Sequence, residues 1–199
     1  MNKYLRAIAA TLIFILVLLT IHALHMHYFE VNVVFYSSLL DAGIAAVLSC
    51  VLLFSLRTFG VFNTFEKLQL LAVWLLGGYA FAISIPTVID RSLSFYILEK
   101  LDQRGGGIRQ DAFERVFTQE YVREHRLVDI RLTEQLRSGT IVIDSGCVKL
   151  TQKGKAVADF GRYYRQNFLP KYRLIMNGYS DDLIDPFRDS DTTMDYVCK

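Results

Sequence analysis

Apolar positions along the chain fall into two regimes. Through residues 1–89 they come in long runs, and only seven side chains are charged: Lys3, Arg6, Glu30, Asp41, Arg57, Glu66 and Lys67. Residues 4–24 (YLRAIAATLIFILVLLTIHAL) are long enough to cross a hydrocarbon core of roughly 30 Å at about 1.5 Å per residue. Two further spans are predicted within residues 31–56, most apolar from 39 to 56, and over residues 68–85, ending at Pro86. Lys3 and Arg6 precede the first run as in a signal peptide. The run exceeds a typical leader core, however, and HMHYFE follows in place of a small-residue cleavage site, so an uncleaved anchor is expected.

Beyond residue 90 the pattern turns periodic. Leu93, Ile97 and Leu101 recur at four-residue steps behind Asp90 or Ser92, either of which can cap a helix, and Gly105-Gly106-Gly107 closes it. The triple glycine has no Lys-Ser/Thr after it and no strand before it, so it reads as a turn and not a phosphate loop. Ile108, Ala112, Phe113, Val116 and Phe117 give a short helix over 110–117, and Thr118 is placed to cap a turn through 120–126. Asp129 is placed to cap a helix bearing Ile130, Leu132 and Leu136 that stops at Gly139. TIVID and CVKL flank Ser145-Gly146, a two-residue hairpin signal. Thr151 then caps a last helix with Val157, Phe160, Tyr164 and Phe168 on one side, stopping before Pro170.

Charge sharpens this division. Residues 90–178 carry sixteen basic and eleven acidic side chains, whereas residues 179–199 carry six Asp against Arg188 and Lys199. The acidic end also holds Leu183, Ile184, Phe187, Met194 and Tyr196, which suit a packed strap as well as a loose terminus. The expected architecture is a membrane α-helical anchor of three transmembrane helices (1–89), a small α+β domain (90–170) and an acidic tail (171–199). Lys3, Arg6, Arg57 and Lys67 flank the N-terminus and second connection, while residues 25–37 have no Lys or Arg. The positive-inside rule then puts the N-terminus in the cytoplasm and the C-terminal domain outside the inner membrane, although Arg91, Lys100 and Arg104 weaken the bias.

The stretch 129–160, DIRLTEQLRSGTIVIDSGCVKLTQKGKAVADF, gives a helix, a Gly stop, a hairpin and a second helix. With the two helices before it, this order resembles the winged-helix (winged helix-turn-helix) fold family of many bacterial regulators, over residues 92–168. The resemblance implies that the third helix enters a major groove and the wing touches backbone. The corresponding positions here are Arg131, Gln135 and Arg137, with Lys149 beside the wing. The chain departs from that use. Asp129 and Glu134 share the helix, and the wing tip is Asp144-Ser145-Gly146, where phosphate neutralisation wants basic side chains. Arg131, Gln135, Arg137, Asp144 and Lys149 are therefore expected to dock a protein partner, and nucleic acid is not expected.

Candidate chemistry is sparse. Asp41 lies near a span, where a carboxyl is costly, within a small-residue stripe of Ser38, Ala42, Ala45 and Ser49. Three roles stay open for it: wetted at the outer interface, bonded to a neighbouring helix, or relaying a proton. His22, His25 and His27 are the only metal-like cluster, with Glu30 the sole nearby carboxylate, and neither a metal site nor another cofactor is expected. Asp90 and Arg91 suit the membrane interface. Cys147 and Cys198 can pair if their domain faces an oxidising compartment, while Cys50 sits in an apolar run. With no nucleophile–base pair, no enzyme is expected. The expected function is a non-catalytic membrane accessory or scaffold protein that docks other membrane proteins in an envelope complex; self-association stays open. The alternative is a membrane-anchored winged-helix transcriptional regulator with its C-terminal domain in the cytoplasm.

Overall fold

The computed structural model describes residues 2–188, 190 and 198. It divides into two compact units, Met1–His125 and Arg126–Lys199, a boundary inside the segment 90–170 expected as one domain. Three helices in the first unit are long and apolar enough to cross a membrane, and the chain is a membrane protein. They are α1 (Lys3–Tyr28), α2 (Val34–Ser55) and α3 (Thr64–Ser84).

Polar caps fix two of the three starts. The Asn2 side chain accepts from the Leu5 amide, and Asn63 and Glu66 form a reciprocal capping box at α3. Pro86 sits in the first turn of α4 (Pro86–Arg91), where its missing N–H costs nothing, so the helical path resumes just past the predicted end of the third span. Both α1 and α3 pack on α2. The core between them is Phe14 and Leu18 of α1, Ala42, Ala45 and Leu53 of α2, and Trp74 of α3. Small residues set the spacing: a Cβ on Gly78 would stand 2.8 Å from the Ala42 Cβ, so only glycine permits that approach. Phe14 and Trp74 stack with centroids 5.5 Å apart. The outward faces carry bare Leu, Ile, Val and Phe, which suits lipid as the surrounding solvent.

The first unit continues into α5 (Leu93–Gln103), capped by Ser92 through the Ser94 and Phe95 amides. A 3₁₀ turn (Gln110–Ala112) and α6 (Phe113–Arg115) then run through a π-helical turn (Val116–Tyr121) into α7 (Val122–Glu124). The predicted break at Thr118 does not occur. Its hydroxyl donates to the Glu114 carbonyl at 2.9 Å, inside the helix, so it is not available to cap a new one.

The second unit opens on α8 (Leu127–Ser138), which begins two residues before the predicted Asp129 cap. Arg126 at φ 45° turns the chain into the helix, and Asp129 lies in the first turn, paired with Arg126 at 2.9 Å. Gly139 at φ 71° ends α8 in the left-handed region that favours glycine. Strands β1 (Ile141–Asp144) and β2 (Cys147–Leu150) pair antiparallel, Ile141 opposite Leu150 and Asp144 opposite Cys147. Ser145 and Gly146 both take positive φ, as a two-residue hairpin turn of that hand requires.

Helix α9 (Gln152–Phe168) is capped by Thr151, whose hydroxyl accepts from the Gly154 amide. At Gly154 any Cβ would overlap the Thr140 carbonyl oxygen, so α9 starts against the α8–β1 junction. A second antiparallel pair follows within the predicted tail: β3 (Arg173–Ile175) and β4 (Gly178–Ser180). Past it, Arg188 binds Asp181 at 3.1 Å and also Asp182. The rest of the acidic tail, including Met194 and Tyr196, lies outside the described residues. Cys147 and Cys198 form a disulfide with Cα atoms 6.2 Å apart.

Candidate functional site

The most unusual polar feature of the first unit is a buried carboxylate held by two imidazoles. Asp41 is 0 % exposed. His22 Nδ1 donates to Asp41 Oδ2 at 2.9 Å, and His25 Nδ1 to Oδ1 at 2.5 Å. His22 and His25 share a face of α1 at a three-residue step, so both reach one carboxyl on α2. The rings are braced from behind, His22 edge-on to Phe81 of α3 and His25 edge-on to Phe29. Of the three roles open for Asp41, the geometry shows the bonded contact between helices.

The neighbouring stripe has the expected composition and a defined use. Ser38, Ala42, Ala45 and Ser49 are all buried along α2. Ser38 Oγ donates to the Val34 carbonyl at 2.8 Å, whereas Ser49 Oγ is buried with no hydrogen-bond partner among the described residues. Deeper in the bundle, Trp74 Nε1 donates to Thr11 Oγ1 at 3.1 Å. Between that bond and Asp41 lie the buried Phe14 and Leu18 of α1 and the buried Ala45 and Ser49 of α2. His27 does not join the pair; its ring meets Tyr28 edge-on. Among the described residues no group of three or more His, Cys, Asp or Glu is arranged to hold a metal ion.

At the opposite end of α1 and α2, Lys3 pairs with Glu66 at 2.5 Å and Arg6 donates to the Thr58 carbonyl at 2.8 Å. The basic N-terminus and the α2–α3 connection therefore share one end of the bundle. Asp90 and Arg91, at the far end of α4, lie 3.7 Å apart as a partly exposed pair.

A second cluster, not anticipated from sequence, ties α5 to the π-helical segment. Lys100, 4 % exposed, reaches Glu120 and Glu124 at 2.7 Å each. Arg104 joins Glu120 at 3.0 Å, and the Tyr96 hydroxyl donates to Glu124 at 3.0 Å. Hydrogen bonds to Glu120 and then Glu124 hold the Lys100 amine above its ordinary pKa. The bond from Lys100 holds both carboxyls below theirs, helped by Arg104 at Glu120 and by Tyr96 at Glu124. Burial, then the bond to Glu124, pushes the Tyr96 hydroxyl up. All these shifts favour the charged acids and amine and the neutral phenol, so the cluster supplies no neutral amine or protonated acid near pH 7. It is a clamp. The signal was present as two like-charged i, i+4 pairs, basic Lys100/Arg104 and acidic Glu120/Glu124, each needing a partner of opposite sign.

In the second unit, most of the five expected docking positions are engaged within the chain. Arg131 pairs with Glu134 at 2.7 Å and Lys149 with Asp144 at 2.5 Å. The Lys149 amine, then the Ser145 hydroxyl, holds the Asp144 carboxyl below its ordinary pKa. Gln135, though exposed, is engaged locally: its backbone carbonyl accepts from the Thr140 amide at 3.0 Å and its side-chain oxygen accepts from the Thr140 hydroxyl. Arg137 lies in the last turn of α8, where a cation complements the helix dipole. The structure thus groups Asp144 with Lys149 at the hairpin and Arg131 with Glu134 on α8, and commits Gln135 to the joint between them.

Comparison with protein-family models, with curated proteins and with solved structures gives no match to this chain.

Proposed function

We propose that this chain is a non-catalytic, multi-pass accessory or scaffold protein of a bacterial inner membrane. Its N-terminus is cytoplasmic, and a winged-helix-like C-terminal domain outside the cytoplasm docks another protein of an envelope complex. The observation that carries this reading is the Cys147–Cys198 disulfide, since such bonds persist in oxidising compartments and are rare in the cytosol. The basic end of the bundle supports the same orientation: Lys3, Arg6 and the α2–α3 connection lie together, where the positive-inside rule places cytoplasm. The order α8, β1, β2, α9 supports the winged-helix-like assignment.

The docking role draws on what the hairpin leaves bare. Ile143, Val148 and Leu150 share one face of the hairpin and are all more than 40 % exposed, an aliphatic surface backed by the neutralised Asp144–Lys149 pair on the other face. A phosphate-binding role fits poorly here, because Arg126, Arg131 and Lys149 each spend their charge on a neighbouring acid.

Topology is the test. In intact cells, alkylation of the full chain with and without prior reduction reports whether Cys147 and Cys198 are bonded, and a C-terminal phosphatase fusion reports the side. Bonded cysteines and an active phosphatase are expected. Free thiols with an inactive fusion would overturn the orientation and return the regulator reading. For docking, mild detergent extraction should recover a second membrane protein that is lost on Ile143→Asp.

A further inference from the structure

Among the described residues, the aromatic side of α9 and the β3–β4 hairpin are exposed. Val157, Phe160, Tyr164 and Phe168 recur at three- and four-residue steps, so they form one stripe, and each is between 47 % and 65 % exposed. The hairpin adds Leu174 at 61 % and Met176 at 70 %. A helix that carried this stripe into a protein core would bury it. Here the only buried residue of α9 is Gly154, at its first turn.

Charge says what the stripe faces. Helix α9 carries Lys153, Lys155, Arg162 and Arg165 against one acid, Asp159, and Lys155 already neutralises that acid at 2.6 Å. Lys171 and Arg173 extend the basic series into the hairpin, and Tyr163, Tyr164 and Tyr172 supply rings with an apolar body and a polar tip. Lys155 and Arg162 lie opposite the stripe and Arg165 at its flank, while Lys153, at the stripe's first turn, donates to the Ser138 carbonyl at 2.5 Å. An apolar stripe with basic residues opposite and at its flank is the composition of a helix lying in a membrane interface. The β1–β2 surface differs in kind, aliphatic with a closed ion pair at its tip. The chain also brings its own bilayer: three apolar helices keep a lipid surface within reach of the second unit at high effective concentration.

We propose that α9 and the β3–β4 hairpin lie on the surface of the membrane that anchors the chain, their aromatic stripe at the acyl boundary and their basic side chains among anionic headgroups. This surface is separate from the β1–β2 face and does not depend on which protein docks there.

Phe160→Trp in the full-length protein tests this, because position 160 is exposed and tolerates an indole. The protein is reconstituted in nanodiscs of phosphatidylcholine alone or mixed with phosphatidylglycerol, each with and without bromine on the upper acyl carbons. Emission in excess of the wild type, whose sole tryptophan is Trp74, reports residue 160. The expected result is blue-shifted emission quenched by bromolipid, more strongly with phosphatidylglycerol. Arg162→Gln with Lys171→Gln is expected to weaken the anionic-surface equilibrium about fivefold per charge. Water-like emission without quenching in both lipids would overturn the proposal. So would blue-shifted emission that bromolipid does not quench, since a protein surface, from a second copy or a partner, would then cover the stripe.

Discussion

The two units expose apolar side chains to about the same degree, yet for different reasons. In α1–α3 the bare Leu, Ile and Val ring a core of Phe14, Ala45 and Trp74, and lipid accounts for the exposure. In the second unit Thr140 and Gly154 are the only buried positions among the described residues, and none of its helices is long and apolar enough to span a bilayer. The first unit coheres by packing. The second coheres by backbone geometry, a glycine contact and a disulfide. Exposure therefore matches a lipid solvent in the first unit, and in the second it matches the docking and membrane surfaces proposed above.

The strongest way to break that comparison is to remove the disulfide. Its cysteines are 51 residues apart, and closing a loop of that size is worth about 4 kcal/mol by the chain-entropy estimate. Cys147→Ser is expected to make residues 126–199 protease-sensitive in detergent while α1–α3 stay protected. If both units became sensitive together, the division of labour between them would be wrong.

Gly78→Ala attacks the other side. Its new Cβ would meet the Ala42 Cβ at 2.8 Å, and forcing α3 away from α2 is expected to cost about 1–3 kcal/mol. Thermal loss of helicity in detergent measures it, with the Cys147–Cys198 bond unaffected. A smaller effect is expected from Asp41→Leu, which removes both imidazole contacts. Interhelical hydrogen bonds in membranes are worth about 0.6–1.7 kcal/mol each, so the loss should stay near or below 3 kcal/mol and shrink when His22 and His25 are already Ala. An unchanged cost in that background would mean that the imidazoles are bystanders.

How much of this was legible depended on the range of the interaction. Runs of apolar residues located the three long helices, and local chemistry located the Ser145-Gly146 turn and the Thr151 cap. Asp41, His22 and His25 each stood out alone, but their meeting is a tertiary fact. It had a readable trace, because His22 and Asp41 lie about equally far from the α1–α2 connection and so at one depth in an antiparallel pair. The β3–β4 hairpin was missed because acidic composition drew the whole end into a tail. Its turn is Met176-Asn177, with Met176 at φ 54°, a residue that gives no turn signal in the sequence. The start of α8 was missed because Arg126 adopts a left-handed conformation that no propensity favours.

The smallest effect separates the units by pH. Glu120 and Glu124 have folded pKa values below the ordinary 4.5, so the unfolded segment takes up protons first on acidification. Their contribution is complete above that ordinary value and is lost as pH falls through the lowered ones. Lys100 runs the other way. Raised above 10.5, it contributes fully below that pH and loses the contribution as pH rises through its raised value. Amide protection across Leu93–Gln103 and Val116–Tyr121, taken relative to intrinsic exchange at each pH, should therefore be highest and flat between the two limits; Lys100→Met should remove the alkaline edge and weaken the acid one, which Arg104 and Tyr96 still support. In the second unit Asp144 is lowered in the same sense, but the Asp144 and Lys149 side chains are 61 % and 51 % exposed, so water and salt screen the pair. Added salt should erase the acid edge at the hairpin and leave the one at Lys100, whose side chain is only 3 % exposed, largely in place. Equal salt sensitivity at both sites would show that the Lys100 clamp is as wet as the hairpin, and that its charges do not lock α5 to the π-helical turn.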